Sequence, residues 1–143
     1  MNPKLLIAAC ALGLCSIAGA ADRNQLYGQW AASDGTETWV FHDKGDQVQV
    51  SHTKGAETLF DVSCGTTGRD CPVKDSGKKA TVSMYFNGPK LVQLERRGDD
   101  VVKRRFTVGD TGDVLDVEVI PIVPAGRTET IHFKRTSETA KAQ

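Results

Sequence analysis

No stretch of this 143-residue chain carries the apolar spacing of an amphipathic helix, and it has neither an internal repeat nor a low-complexity tract. Helical bundles and solenoids are thereby set aside, and the length leaves room for one domain. Net charge is missing too, since 18 Lys and Arg balance 18 Asp and Glu. A neutral domain has no electrostatic reason to seek nucleic acid or an anionic membrane. Aromatics are few, at five Phe, two Trp and two Tyr, so an interior must be filled mainly by Val and Leu. No two His, Cys or carboxylate residues show metal-ligand spacing apart from one cysteine pair. No nucleophile, base and orienting group converge at readable spacing. The expectation is a monomeric protein that is not an enzyme and needs no metal or cofactor.

Long hydrophobic runs are also lacking, with one short exception. Residues 5–17 are apolar, Lys4 precedes them and Ala18-Gly19-Ala20 follows, which is the order of a secretory signal peptide. The run is too short to span a bilayer, and polar sequence begins at Asp22. Cleavage is expected after Ala20, or else after Ala21, giving a leader of residues 1–20 and a periplasmic or secreted domain of 21–135. Removal of the leader takes Cys10 and Cys15 with it. Cys64 and Cys71 remain, and in an exported protein such a pair is most simply a disulfide. So short a loop lowers unfolded-state entropy by ~2–3 kcal/mol in the chain-entropy model. Its expected task is to shape the loop CGTTGRDC.

What the chain has in quantity is strand pattern. The run 79–119 reads KATVSMYF, NGP, KLVQLERR, GDD, VVKRRFTV, a Gly/Asp turn and DVLDVEV. Four alternating segments follow one another with only turn-sized gaps, a meander of hairpins. Upstream, 24–33, 36–42, 47–53 and 57–63 extend it; downstream, 127–135 completes it, with Pro121 and Pro124 ending the strand before. A turn at Lys44-Gly45 would set Phe41 against Val48, Trp39 against Val50 and Glu37 against His52. A three-residue turn at 54–56 would set Phe60 and Val62 inward. A three-residue turn at Asn87-Gly88-Pro89 would pair Met84 with Val92 and Val82 with Leu94; Val102 would then meet Leu94. Val108 should oppose Leu115, Phe106 should oppose Val117, and Arg105 should lie across from Glu118. Residues 64–77 read as the one long loop, and 136–143 as a disordered tail. That makes an all-β antiparallel up-and-down meander of eight or nine short strands. Closure into a barrel is the economical way to remove its two edges.

Parity also nominates a site. Trp39, Phe41, Phe60, Met84, Phe86, Phe106 and Phe133 should face a shared interior as candidate cavity residues. His52 is expected to point inward beside Glu37, as a hydrogen-bonded pair. Arg104 shares the parity of Val102, Phe106 and Val108, so it needs an inward carboxylate, a route to solvent or an acidic ligand. Glu37 and Glu129 are the inward acids available. Arg96, Arg97, Lys103 and Arg105, interrupted by Glu95, Asp99 and Asp100, read as a solvated face. His42 and His132 read as solvated.

Asn24-Gln25-Leu26-Tyr27-Gly28-Gln29-Trp30 resembles the Gly-x-Trp opening of the first strand in the lipocalin and fatty-acid-binding-protein group, the calycins. The hairpin series 78–135 is similar to the second half of a fatty-acid-binding barrel. The resemblance implies a calycin-like barrel in which Arg135, from the last strand, lies across Trp30 as a structural pair. It does not extend to the helical lid, for which there is no room after Trp30. Nor does it extend to the Arg-x-Tyr carboxylate clamp, whose places Ile131 and Phe133 take.

Two functions follow as expectations. One is an exported lipocalin-like binding protein holding an apolar or amphipathic anionic small molecule, its head anchored by Arg104. The other is a protein-binding module, an inhibitor or envelope-complex component, that presents Arg69 and Asp70 on the bridged loop.

Overall fold

The computed structural model describes residues 23–73 and 79–137. The leader, most of the tail and residues 74–78 lie outside them. Ten strands run β1 (Gly28–Ala32), β2 (Glu37–Asp43), β3 (Gln47–Lys54), β4 (Glu57–Gly65), β5 (Cys71–Val73), β6 (Ala80–Asn87), β7 (Lys90–Arg97), β8 (Asp100–Val108), β9 (Val114–Val123) and β10 (Glu129–Ser137). All pairings are antiparallel, in the order β4-β3-β2-β1-β10-β9-β8-β7-β6-β5. Because the last strand pairs with the first, the meander curls into a nearly closed barrel. The extra strand, β5, comes from the segment read as loop. Thr136 and Ser137, assigned to the tail, belong to β10.

Burial alternates as the apolar pattern requires. Trp30, Phe41, Val50, Val82, Met84, Leu91, Phe106, Leu115 and Phe133 are fully buried in one core. Val108 opposes Leu115, Phe106 opposes Val117 and Arg105 opposes Glu118 across β8–β9, as expected. The Arg105 and Glu118 side chains pair at 3.0 Å. Four other turns differ, and the size of each slip decides its consequence. In β2–β3, Trp39 opposes His52 and Phe41 opposes Val50. That is two residues from the expected register, so every side chain keeps its face. The β3–β4 turn is the two-residue kind, pairing Lys54 with Glu57. A bulge beside His52 then restores parity, so Phe60 and Val62 still point inward.

The third slip matters most. Asn87 pairs with Lys90, so Gly88-Pro89 is a two-residue turn and not the expected three-residue one. Gly88 takes φ 59, and the proline ring fixes a negative φ beside it, which suits a hairpin turn with glycine at its first corner. At the other end Arg97 pairs with Asp100, again leaving two residues. β7 is therefore displaced by one residue against both neighbours and turns over. Met84 faces Gln93, not Val92; Glu95, not Leu94, meets Val102. Leu91, Gln93 and Glu95 point into the barrel. A further correction is Pro121, which lies inside β9 opposite a bulge at Val101/Val102 and does not end the strand.

Closure is incomplete between β4 and β5, the terminal strands of the sheet. The Cys64–Cys71 disulfide joins these two strands, with Cα atoms 5.8 Å apart. The bridge thus staples the barrel's seam as well as shaping its loop.

Candidate functional site

Two arginine–tryptophan pairs stand out, built on Trp30 and Trp39, which are cross-strand neighbours on β1 and β2. At the end sealed by the N-terminal segment, the Arg135 guanidinium lies 4.1 Å over the Trp30 ring. It donates to the carbonyls of Gly112 and Tyr27, each at 2.9 Å, and to that of Gln25. The Trp30 indole N–H donates to Leu26 O at 2.9 Å. Gly28 is required here, because a Cβ at this position would sit 2.5 Å from Ser137 O and 2.8 Å from the Arg135 guanidinium. The Gly-x-Trp opening thus has a steric reason, and Arg135 lies across Trp30 in the place the resemblance implied. A small hollow of about 190 Å³ between Gln25, Pro89, Lys90 and the 107–110 turn is the other feature of this end.

The second pair is Trp39 and Arg104. Trp39 stacks on His52 with ring centroids 3.8 Å apart and planes within 8°. Phe60 and Phe106 meet the indole edge-on at 5.7 and 4.9 Å. The Arg104 guanidinium sits 5.8 Å from the Trp39 ring centre. Arg104 Nη1 donates to Glu95 Oε1 at 2.9 Å and to Gln93 Oε1 at 3.3 Å. The other Glu95 oxygen accepts from Arg97 at 3.0 Å. The acids expected beside Arg104 were Glu37 and Glu129. Glu129 is exposed, and Glu37 is taken by His52. Glu95 becomes the partner because β7 is turned over.

His52 and Glu37 form the expected inward pair, His52 Nε2 to Glu37 Oε1 at 2.7 Å. Burial pushes the His52 pKa below its usual value, with Arg104 adding to the effect; the hydrogen bond and charge of Glu37 and the charge of Glu95 oppose it. A carboxylate can only accept, so the neutral ring donates from Nε2–H.

His52, Glu57, Thr58, Leu59, Phe60, Glu95, Arg97 and Arg104 line one cleft of about 400 Å³. Only the Nη1 group of Arg104 carries the bonds to Gln93 and Glu95, leaving its other N–H groups beside the cleft. Two further donors nearby have no acceptor among the described residues: the amide nitrogen of Gln93, which is fully buried, and the indole nitrogen of Trp39. Buried donors are rarely left unpaired, and when they are, a water or ligand oxygen is the usual answer. Glu95 uses both oxygens and Glu37 is bonded to His52, whereas Glu57 stands at the exposed rim of the cleft as a further carboxylate. Among the buried groups the unmet valence beside Arg104 is of one kind, and it asks for an acceptor.

The cavity candidates divide. His52, Phe60 and Arg104 line this cleft. Trp39, Phe41, Met84, Phe106 and Phe133 pack against one another in the core. Phe86 is half-buried beneath the Arg23 guanidinium at 4.6 Å. Gln93, Glu95 and Arg97 were missed, and the signal that could have found them was Gly88-Pro89 read as a two-residue turn. The bridged loop has Asp70 paired with Arg96 at 3.5 Å on the surface. No group of three or more His, Cys, Asp or Glu among the described residues is placed to hold a metal ion. No helix among them is long and apolar enough to cross a membrane.

No family model matches the chain, and no curated protein matches it in sequence. Solved structures do match in fold. A secretory abundant heat soluble protein from Ramazzottius varieornatus superposes with a TM-score of 0.67 at 11% identity, covering 78% of this chain and 96% of that one. Secretory abundant heat soluble protein 4 from the same organism gives 0.63 at 11% identity, covering 78% and 95%. The antiparallel barrel fold is therefore shared with these proteins, over 78% of this chain.

Proposed function

We propose that this is an exported, non-enzymatic binding barrel that takes a small amphipathic anion, with Arg104 as the anchor of its head. One observation carries the reading: two buried donors beside Arg104, the Gln93 amide and the Trp39 indole, are unmet among the described residues while Glu37 and Glu95 are engaged. An anion supplies acceptors and charge together, and charge-assisted bonds to a guanidinium are among the stronger ones. Export is supported by the leader pattern at residues 1–20, by the Cys64–Cys71 bridge and by the word "secretory" in the names of the matching structures.

The test is uptake of an anionic fluorophore, 8-anilinonaphthalene-1-sulfonate, by folded, delipidated protein. Wild type should enhance its fluorescence saturably and Arg104→Met should not, with both proteins giving the same cooperative unfolding transition. Absence of uptake by the wild type of this or any other anionic or apolar probe removes the reading. The bridged loop has a structural task across the seam, and no specific observation favours a protein partner there.

A further inference from the structure

Resting on that reading, we infer that the cleft selects short carboxylates with a compact apolar body and rejects long-chain acids. The argument starts with what lies behind Arg104. Trp39, Phe41, Met84 and Phe106 are 0–1% exposed, and the three rings among them meet at centroid distances of 4.9 to 6.1 Å. An acyl chain entering there would have to displace a close-packed aromatic cluster, and such cores do not yield cheaply to added methylenes. The barrel's axis is therefore filled by the protein's own side chains.

The cleft itself offers little to a chain. Six of its eight lining residues are polar or charged: His52, Glu57, Thr58, Glu95, Arg97 and Arg104. Leu59 and Phe60 are the apolar ones, and they stand side by side on β4. Methylenes gain by burial against apolar atoms, and polar walls give them nothing. Two apolar side chains can cover a ring or a short stub. At the head end, Arg104 presents N–H groups beyond the one used by Gln93 and Glu95, and the Gln93 amide behind it has a donor to give. A carboxylate brings two acceptor oxygens to this cluster, whereas an amine brings only donors to a guanidinium and an amide that themselves donate. Its charge also leaves an ammonium beside Arg104.

Titration calorimetry of the full mature protein with three probes tests this: 3-phenylpropanoate, phenethylamine and hexadecanoate. The expected result is saturable binding of 3-phenylpropanoate, at least tenfold weaker binding of phenethylamine, and no binding of monomeric hexadecanoate. Two-dimensional NMR should show the Trp39 indole and Gln93 amide resonances shifting with 3-phenylpropanoate, with the Trp30 indole resonance unmoved. Gln93→Leu, which removes the donor and keeps an apolar volume in the core, should weaken 3-phenylpropanoate at least threefold. Tighter binding of hexadecanoate than of 3-phenylpropanoate overturns the length limit while leaving the anion reading standing. Equal binding of phenethylamine overturns the carboxylate choice. Shifts at Trp30 in place of Trp39 move the site to the other pair. No heat and no shift with any probe removes the binding reading itself, so the two failures are told apart.

Discussion

The two tryptophan–arginine pairs put the same chemistry to different ends. Trp30 and Arg135 are saturated: the indole has a carbonyl, and the guanidinium is spread over three backbone oxygens from two segments remote in sequence. Trp39 and Arg104 are not. Their indole has no acceptor among the described residues, and their guanidinium leans on two side chains through a single nitrogen. Backbone carbonyls are held by the fold and cannot step aside, whereas Glu95 and Gln93 can change rotamer. The first arrangement fastens the N-terminal segment across one end of the barrel. The second leaves an arginine that can exchange partners. Burial alone would not separate them, since both tryptophans are at most 1% exposed.

The comparison can be broken most forcefully at the saturated pair. Trp30→Ala should lower stability by about 3–5 kcal/mol, the usual cost of emptying a large aromatic from a core. Urea denaturation followed by circular dichroism measures it. At the other pair, Arg104→Met with Glu95→Gln should change stability by no more than about 1 kcal/mol, because exchanging a buried ion pair for neutral groups of similar size is often nearly neutral. If both changes proved equally costly, the distinction between a fastening and an exchanging arginine would disappear. Between these extremes lies the seam. Cys64→Ser with Cys71→Ser should cost about 2–3 kcal/mol in the loop-entropy account. Because β5 has only three residue pairs with β6, hydrogen exchange in the double variant should rise first in β5 and along β4, with β8 and β9 unaffected.

How far the sequence shows these features depends on turn length. Apolar alternation reported the faces of β2, β3, β4, β6, β8 and β9, because slips of two residues, or slips undone by a bulge, leave parity intact. β7 was misread because LVQLE offers apolar residues on both faces: Leu91 on one, Val92 and Leu94 on the other. With no clear apolar face, only the turns set its register, and Gly88-Pro89 closes one residue sooner than Asn87-Gly88-Pro89. That single residue decides whether Gln93 and Glu95 meet solvent or Arg104. The oddity of Arg104 was legible; its partner was not. β5 escaped notice because three residues carry no periodicity, and the seam position of the disulfide could be seen only once strand order was known.

The smallest effect, and the finest test of the unsaturated pair, concerns His52. Its ring stacks on Trp39 and faces Glu37 from β2, Glu95 from β7 and Arg104 from β8. Its pKa in the folded protein is lowered from 6.5, chiefly by burial. Between the lowered value and 6.5 the unfolded chain therefore binds more protons than the folded one, and stability must rise with pH across that window. Read downward, acidification below about pH 6.5 draws His52 toward its charged form at a cost to the fold, since imidazolium is poorly solvated there and is repelled by Arg104. His52→Gln keeps a donor for Glu37 and cannot titrate, so its urea midpoint should fall less than that of wild type between pH 7 and pH 5.5. The same substitution should leave the Trp30 pair unaltered by NMR. A wild-type midpoint that rose on acidification would mean that Glu37 outweighs burial, making the pair an ion pair and Trp39 the neighbour of two cations.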